Sequence, residues 1–403
     1  MRTNELITPA GTGDLMYEQC EIREQMAQKL RRVLEQRGYR EVKTPTLEFS
    51  DVFDRSSGSF PGEEMYKLID SRGRLLVVRP DCTVPIARMT ATRLKNERKP
   101  LRLYYHQNVM RVAPEMRGQR SEMTQVGAEV MGVSSYLSDL EVIATAARCL
   151  GELCGEDFTL ELCHIGFFKA LMGALTATER EKEELREVIE SKSFAALGDL
   201  LEPFGESPAA AALRALPRLF GGKEVLEQAE SLFENPETRQ VLDYLSRLLD
   251  DLEALGLGDR ITLDLGLVNE AEYYTGVIFR GYRRGAGTAV LSGGRYDTLA
   301  GRFGEELPAI GFAVDLDSLA GPLLARHREP EGGKGILLHA EPGYGLKAME
   351  CQEKLQKQGE LCELSLCGSR EESLAYGKGR KRAALWIVGE KIEKKALGEG
   401  EGR

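Results

Sequence analysis

No two cysteines in this sequence stand at C-x-x-C spacing, although eight are spread from Cys20 to Cys367. That spacing argues against a zinc knuckle and against a disulfide framework, and most of the thiols read as small buried apolar groups. Cys163 and His164 are adjacent, but neighbours in sequence usually point different ways, so no metal site and no cofactor is expected. Long hydrophobic runs are also missing: no stretch approaches the roughly 20 residues that span a bilayer. The opening "MRTNELITPAGTGD" lacks the basic-then-apolar pattern of a signal peptide. A cytoplasmic protein with no membrane partner is expected. Basic charge is in deficit, with 54 Lys and Arg against 64 Asp and Glu and a net charge of −10. Broad nucleic-acid affinity, which rests on neutralising phosphates, is therefore not expected. The dense basic run "KGRKR" (378–382) reads as a solvated loop.

What is present is a globular composition. With 403 residues and 42% hydrophobic content the chain can bury a large core and divide into two or three domains. Ile22, Met26, Leu30, Val33 and Leu34 recur at helical spacing before Gly38, which predicts an amphipathic helix over 18–38. "YREVKTPTLEF" suits an edge strand because of Pro45, and "GRLLVVRPDCT" reads as a buried strand running into a polar turn. "PLRLYYHQNVMRV" and "SEMTQVGAEVMGV" predict a strand pair joined by the charged loop 113–121. A helix is expected over 140–154, then the strand "FTLELCHIG". Residues 167–255 are charged, helically periodic and free of strand signals, and read as an inserted helical subdomain. Strands return in "RITLDLGLVN", "YYTGVIFRGYR" and "GTAVLSGGRYDTL", and "PAIGFAVDLDSLAGPLL" predicts a strand leading into a helix. The fold class is thus α+β, with a mostly antiparallel sheet and flanking helices. Residues 1–325 form the large domain and 326–334 a linker rich in charge, Gly and Pro. Residues 335–395 form a small alternating α/β module that stops early, since "EKIEKKALGEGEGR" offers little more than a fraying end, and 396–403 is a tail.

The informative residues are polar ones that interrupt apolar strands: Asp81 and Thr83 after "VVRP", Arg111, Gln125 and Glu129, then Tyr273 and Tyr274. Gln125 and Glu129 are an even number of residues apart, so on a strand they face one side. Such groups on one sheet face can surround a small zwitterion. A carboxylate such as Asp81 would pair with an ammonium, an arginine such as Arg111 with a carboxylate, and phenols would hydrogen-bond a polar ring.

"TPTLEFSDVFDRSSG", "EEMYKLID", "VVRPDCT", "QVGAEVMG", "YYTGVIF" and "SGGRYDTLAGRFGEELPAIGFAVDLD" resemble, in order over about 8–324, segments of the class II histidyl-tRNA synthetase catalytic core. The tyrosine pair followed by Thr-Gly is the histidyl-type feature among them. The resemblance implies a class II aminoacyl-tRNA synthetase-like antiparallel sheet with a helical insertion. It also implies that Asp81, Thr83 and Gln125 hold the α-ammonium of histidine, that Glu129 and Tyr274 hold its imidazole, and that Tyr273 lines the same pocket. Arg111 matches the motif 2 arginine. The motif 1 region, Thr44–Phe53, is where class II folds pair, so a homodimer is expected.

The departures concern adenylation. Forming an aminoacyl adenylate requires positive charge on the developing phosphorus transition state. The family supplies it from three arginines, of which Arg111 stays; the other two positions fall at Asn269 and Ser318. The motif 2 acid falls at Ala113, and the loop arginines at Gln119 and Ser121, with Arg120 displaced by one residue. One such electrostatic donor is worth about 3–4 kcal/mol, so losing two should reduce adenylation by many orders of magnitude. Retained recognition with lost adenylation resembles the synthetase-like regulatory subunits of ATP phosphoribosyltransferase, and "RPDCTVPIARMTATRL" looks closer to those than to a synthetase. That resemblance implies a non-catalytic subunit, a short-form catalytic partner, histidine as the effector, and a homodimer within a hetero-oligomer. The module 335–395 lies where the synthetase has its anticodon-binding domain, and is too short for the full sheet. A divergent active synthetase and a free-standing paralogue that senses histidine or uncharged tRNA are the alternatives.

Overall fold

The amphipathic stripe at the start of the chain folds as helix α1 (Glu18–Gln36), burying Ile22, Met26, Leu30, Val33 and Leu34. The structure is a computed structural model and describes residues 7–54, 62–112, 120–191, 193–205, 207–268, 273–326 and 335–397. After α1 the chain pairs β1 (Arg40–Glu41) at a sheet edge, passes Pro45, and enters β2 (Leu47–Phe49) and helix α2 (Ser50–Asp54). Strands β3 (Lys67–Ile69) and β4 (Leu75–Val78) join β2 in a separate three-stranded antiparallel sheet. "GRLLVVRPDCT" is therefore not a fully buried strand. In β4 Val77 alone is buried, and its register neighbours put Leu47, Phe49, Leu68, Leu76 and Val78 on the opposite, outward face. Periodicity could not reveal this, because an apolar run reads the same whether one face is covered or two.

Helix α3 (Thr83–Thr92) leads into β5 (Leu101–Met110) and β6 (Glu122–Met131), which pair along their whole lengths. Helix α4 (Tyr136–Cys154) starts at a Ser135 capping box, and β7 (Phe158–His164) follows. Six helices come next: α5 (Ile165–Gly173), α6 (Glu179–Glu190), α7 (Phe194–Leu201), α8 (Pro208–Ala215), then, after the two-residue strand β8 (Phe220–Gly221), α9 (Glu224–Leu232) and α10 (Pro236–Ala254). The strand inside the insertion was not expected, and it pairs with the next strand, β9 (Ile261–Asp264). Then come β10 (Val277–Arg283), β11 (Leu291–Arg295), β12 (Ala309–Asp315) and helix α11 (Leu316–Arg326). The tyrosine pair precedes β10 rather than lying in it, since regular pairing with β7 begins only at Val277.

The large sheet has nine strands in the order β1-β5-β6-β12-β11-β10-β7-β9-β8, antiparallel except at β1-β5 and β7-β9. Strand alternation gives it two unlike faces. Tyr104, Val126, Ala128, Ile310 and Phe312 are buried on the face covered by α1 and α4, where the Tyr104 hydroxyl donates to Glu35 of α1 at 2.7 Å. Tyr105, Gln125, Glu129, Gly311, Ser292 and Gly294 share the other face by register.

The chain divides into two compact units, 1–325 and 326–403. The second has β13 (Ile336–Ala340), α12 (Gly345–Lys357), β14 (Cys362–Leu364), α13 (Arg370–Gly379), β15 (Ala384–Val388) and β16 (Ile392–Ala396) in a sheet of order β14-β13-β15-β16. The first three pair in parallel, as the alternating pattern predicts. β16 corrects the expectation of a frayed end: "IEKKA" pairs antiparallel with β15 although every residue of it is exposed. Backbone pairing holds this strand, with Lys394 3.9 Å from the centre of the Trp386 ring, so it has no apolar signature to read.

Candidate functional site

One register row crosses the open face of the large sheet through Leu103, Glu129, Gly311, Gly294 and Ile278. Gly311 lies directly beside Glu129, and a Cβ there would stand 1.6 Å from Glu129 Oε2 and 2.6 Å from the Ala128 carbonyl. A Cβ on Gly294 would stand 2.6 Å from the Tyr274 ring. These two glycines open a floor on which a carboxyl group and a phenol lie down against the sheet.

Glu129 is buried and held at both oxygens. Thr83 Oγ1 donates to Oε1 at 3.0 Å, and the Tyr296 hydroxyl donates to Oε2 at 2.5 Å. Burial pushes its carboxyl up to about 8, the two hydroxyls offset part of that, and the nearby Asp81 charge adds to it. Asp81 sits between β4 and α3, where its Oδ1 accepts from Val84 N at 3.0 Å. Burial raises Asp81 too, opposed by the Val84 amide and then by the Arg111 charge. Tyr105, Tyr273, Tyr274 and Tyr296 are all buried, with their phenols raised first by burial and then by neighbouring groups, Cys82 and the acids for Tyr105 and the acids and tyrosines for the others, so they stay neutral donors. Two buried acids ringed by neutral hydroxyls favour a cationic or N–H-rich guest, because such a guest stabilises the charged carboxylates.

The tyrosine pair is set by its anchors. The Tyr273 and Tyr274 rings are 4.9 Å apart and tilted by 53°, and Tyr273 meets Tyr296 edge-on at 5.8 Å. Thr275 N donates to the Arg295 carbonyl at 2.8 Å, and Asp297 N donates to Thr275 Oγ1 at 3.0 Å. Arg295 is itself buried against Asp139, Ser138 and Asp297. Tyr105, Tyr296 and Arg295 were not singled out from the sequence. Tyr296 lies in "SGGRYD", but only the register shows that it meets Glu129.

Beside this pocket a cleft of about 510 Å³ is lined by Arg111, Arg120, Gln125, Ser292, Asp317 and Ser318, among others. Arg111 donates from Nε to the Pro80 carbonyl at 2.9 Å, which ties it to the Asp81 segment. Arg120 Nη1 bonds Asp317 Oδ1 at 2.6 Å, and Asp317 also takes Arg23 and the Thr124 amide. Ser318 turns its hydroxyl onto Asp315 Oδ2 at 2.6 Å. The cleft thus combines two arginines with two acids, Asp315 and Asp317, and has little net positive charge among the described residues. The sheet and α3 bring Asp81, Thr83, Glu129, Tyr273 and Tyr274 together, while Arg111 and Gln125 face the adjoining cleft. Ala113, Gln119 and Asn269 lie outside the described residues. Cys163 is buried, His164 Nδ1 caps α5 through Gly166 N, and no acid, histidine and cysteine group able to hold a metal occurs among the described residues.

A family profile described as Histidyl-tRNA synthetase matches residues 11–319. An ATP phosphoribosyltransferase regulatory subunit from Clostridium kluyveri is 38% identical, covering 94% of this chain and 98% of the relative. One from Clostridium acetobutylicum is 40% identical over 91% of both. A crystal structure from Bacillus halodurans, described as an ATP phosphoribosyltransferase regulatory subunit/histidyl-tRNA synthetase, superposes with TM-score 0.84 at 29% identity, over 96% of this chain and 99% of that one. A histidyl-tRNA synthetase from Nostoc superposes with TM-score 0.77 at 19% identity over 97% of both chains, a likeness of fold.

Proposed function

The chain belongs to the family of ATP phosphoribosyltransferase regulatory subunits, on a class II histidyl-tRNA synthetase fold, and from that premise we propose that it binds histidine as a feedback effector. In this reading it is a non-catalytic subunit that activates a short-form ATP phosphoribosyltransferase and conveys histidine inhibition to it. The observation that carries the reading is the buried acid pair, Asp81 and Glu129, beneath the Tyr273–Tyr274 rings, with Arg111 tied to the Asp81 segment. Acids and hydroxyls at the floor complement an ammonium and an imidazole, and a guanidinium at the cleft complements a carboxylate. Histidine would favour one arrangement of the complex by its differential affinity, typically worth about 1–3 kcal/mol of coupling.

Adenylation is weak or absent in this reading because the positions that should bring positive charge do not. Ser318 is spent on Asp315, and Arg120 is held by Asp317. Arg111 then stabilises the bound carboxylate rather than a pentavalent phosphorus.

A homodimer fits the outward face of the small sheet, where Leu47, Phe49 and Leu68 are each more than 40% exposed side by side. Contiguous apolar faces of this kind mark interaction surfaces.

The test is reconstitution. Phosphoribosyl-ATP synthesis by a purified short-form catalytic subunit should rise on adding this protein and fall again on adding histidine. No gain of activity would overturn the proposal, and so would clear histidine-dependent ATP–pyrophosphate exchange by the isolated chain.

A further inference from the structure

The helical insertion is fastened to the tyrosine pair at three points. Ile165 N, at the start of α5, donates to the Gly276 carbonyl at 3.1 Å. One turn later Lys169 Nζ donates to the Tyr274 carbonyl at 3.0 Å. From α10, the Tyr244 hydroxyl donates to Asp139 Oδ2 at 2.8 Å, while Asp139 Oδ1 takes Arg295 Nε at 2.7 Å. The Arg295 carbonyl in turn accepts the Thr275 amide. The Arg295 stem also lies within 3.3 Å of where a Cβ on Gly276 would be, so a larger side chain at that turn would press on the arginine.

We infer that Lys169 and Tyr244 are positioning residues for the tyrosine pair, through which the helical insertion and the occupancy of the pocket are coupled. The inference rests on the reading of that pocket as a histidine site. Neither residue touches the acids of the floor in any bond described above. Lys169 is exposed along its stem, burial around its amine lowers its ammonium, and its one described hydrogen bond is to the Tyr274 carbonyl. Tyr244 is gripped between the Tyr136 ring at 5.8 Å and the His164 ring at 5.2 Å, both edge-on, which fixes where its hydroxyl reaches. Anything that displaces α5 or α10 therefore releases 273–276, and by linkage a ligand that tightens this turn also tightens the insertion.

The test compares Lys169→Met, Lys169→Arg and Tyr244→Phe with the parent, using Arg239→Ala on the exposed side of α10 as a control. Each of Lys169→Met and Tyr244→Phe removes one hydrogen bond, so histidine should bind roughly two- to tenfold more weakly by calorimetry. Lys169→Arg should recover most of the loss, and Arg239→Ala should lose nothing. In the unliganded protein, hydrogen exchange at the Thr275 and Asp297 amides should speed up in the two weakened variants and not in the control. Parent-like affinity and exchange in both variants would overturn the coupling. If the parent binds no histidine, the reading of the pocket falls, and amide exchange alone then decides whether Lys169 and Tyr244 position the turn.

Discussion

Replacing Glu129 by glutamine should flatten the pH dependence of folding stability. The native carboxyl is held up at about 8 against an ordinary 4.5, so the folded protein keeps a proton that the unfolded chain has released. Stability from this group is complete below the ordinary value and is lost as pH rises through the native one. The slope is up to about −1.4 kcal/mol per pH unit, which is roughly 2–3 kcal/mol between about pH 5.5 and pH 7.5. Glutamine fills nearly the same volume, can accept from Tyr296 and can be met by Thr83, and it does not titrate. Asp81 and Asp139 from buried positions and Asp315 from a half-buried one also have raised carboxyls, but in both proteins alike. The difference between the two urea-unfolding series across that pH range isolates Glu129. Parallel stability curves for parent and variant would refute the assignment of a neutral, buried Glu129.

Three further outcomes follow from the same geometry. Gly311→Ala should cost about 1–3 kcal/mol by overpacking, seen as a lower melting temperature, and should abolish histidine binding because the new methyl takes the place of Glu129 Oε2. Arg295→Met strands the buried Asp139 carboxylate, and urea unfolding should report a loss of about 3–5 kcal/mol. Leu68→Asp on the outward face of the small sheet should convert a dimer to a monomer in light scattering while the melting of the monomer stays cooperative.

The elements were largely legible because each has a local cause. The stripe of α1 and the apolar runs of β5 and β6 are written in residues close together in sequence, whereas the Ser135 cap that starts α4 ahead of the expected residue 140 was passed over. The candidate site residues could be picked out as polar interruptions in apolar strands. What escaped was whatever depends on contacts between distant segments. Tyr296 meets Glu129 across 167 positions, and Arg295 meets Asp139 across 156. β4 looked buried because a strand's own residues do not say whether both faces are covered, and β16 looked frayed because main-chain pairing needs no apolar side chain.

The sequence by itself determined which chemistry is available: two acids, a tyrosine pair, the guanidinium of Arg111 and the hydroxyl of Ser318. Tertiary structure decided what that chemistry becomes. Gly311 and Gly294 let Glu129 and Tyr274 lie on the sheet, and burial raises the glutamate to about 8. Asp317 gathers Arg120 and Arg23 from opposite ends of the chain's first third. Side-chain identity is local, but desolvation and charge pairing belong to the folded arrangement, and those two terms set what the pocket can hold.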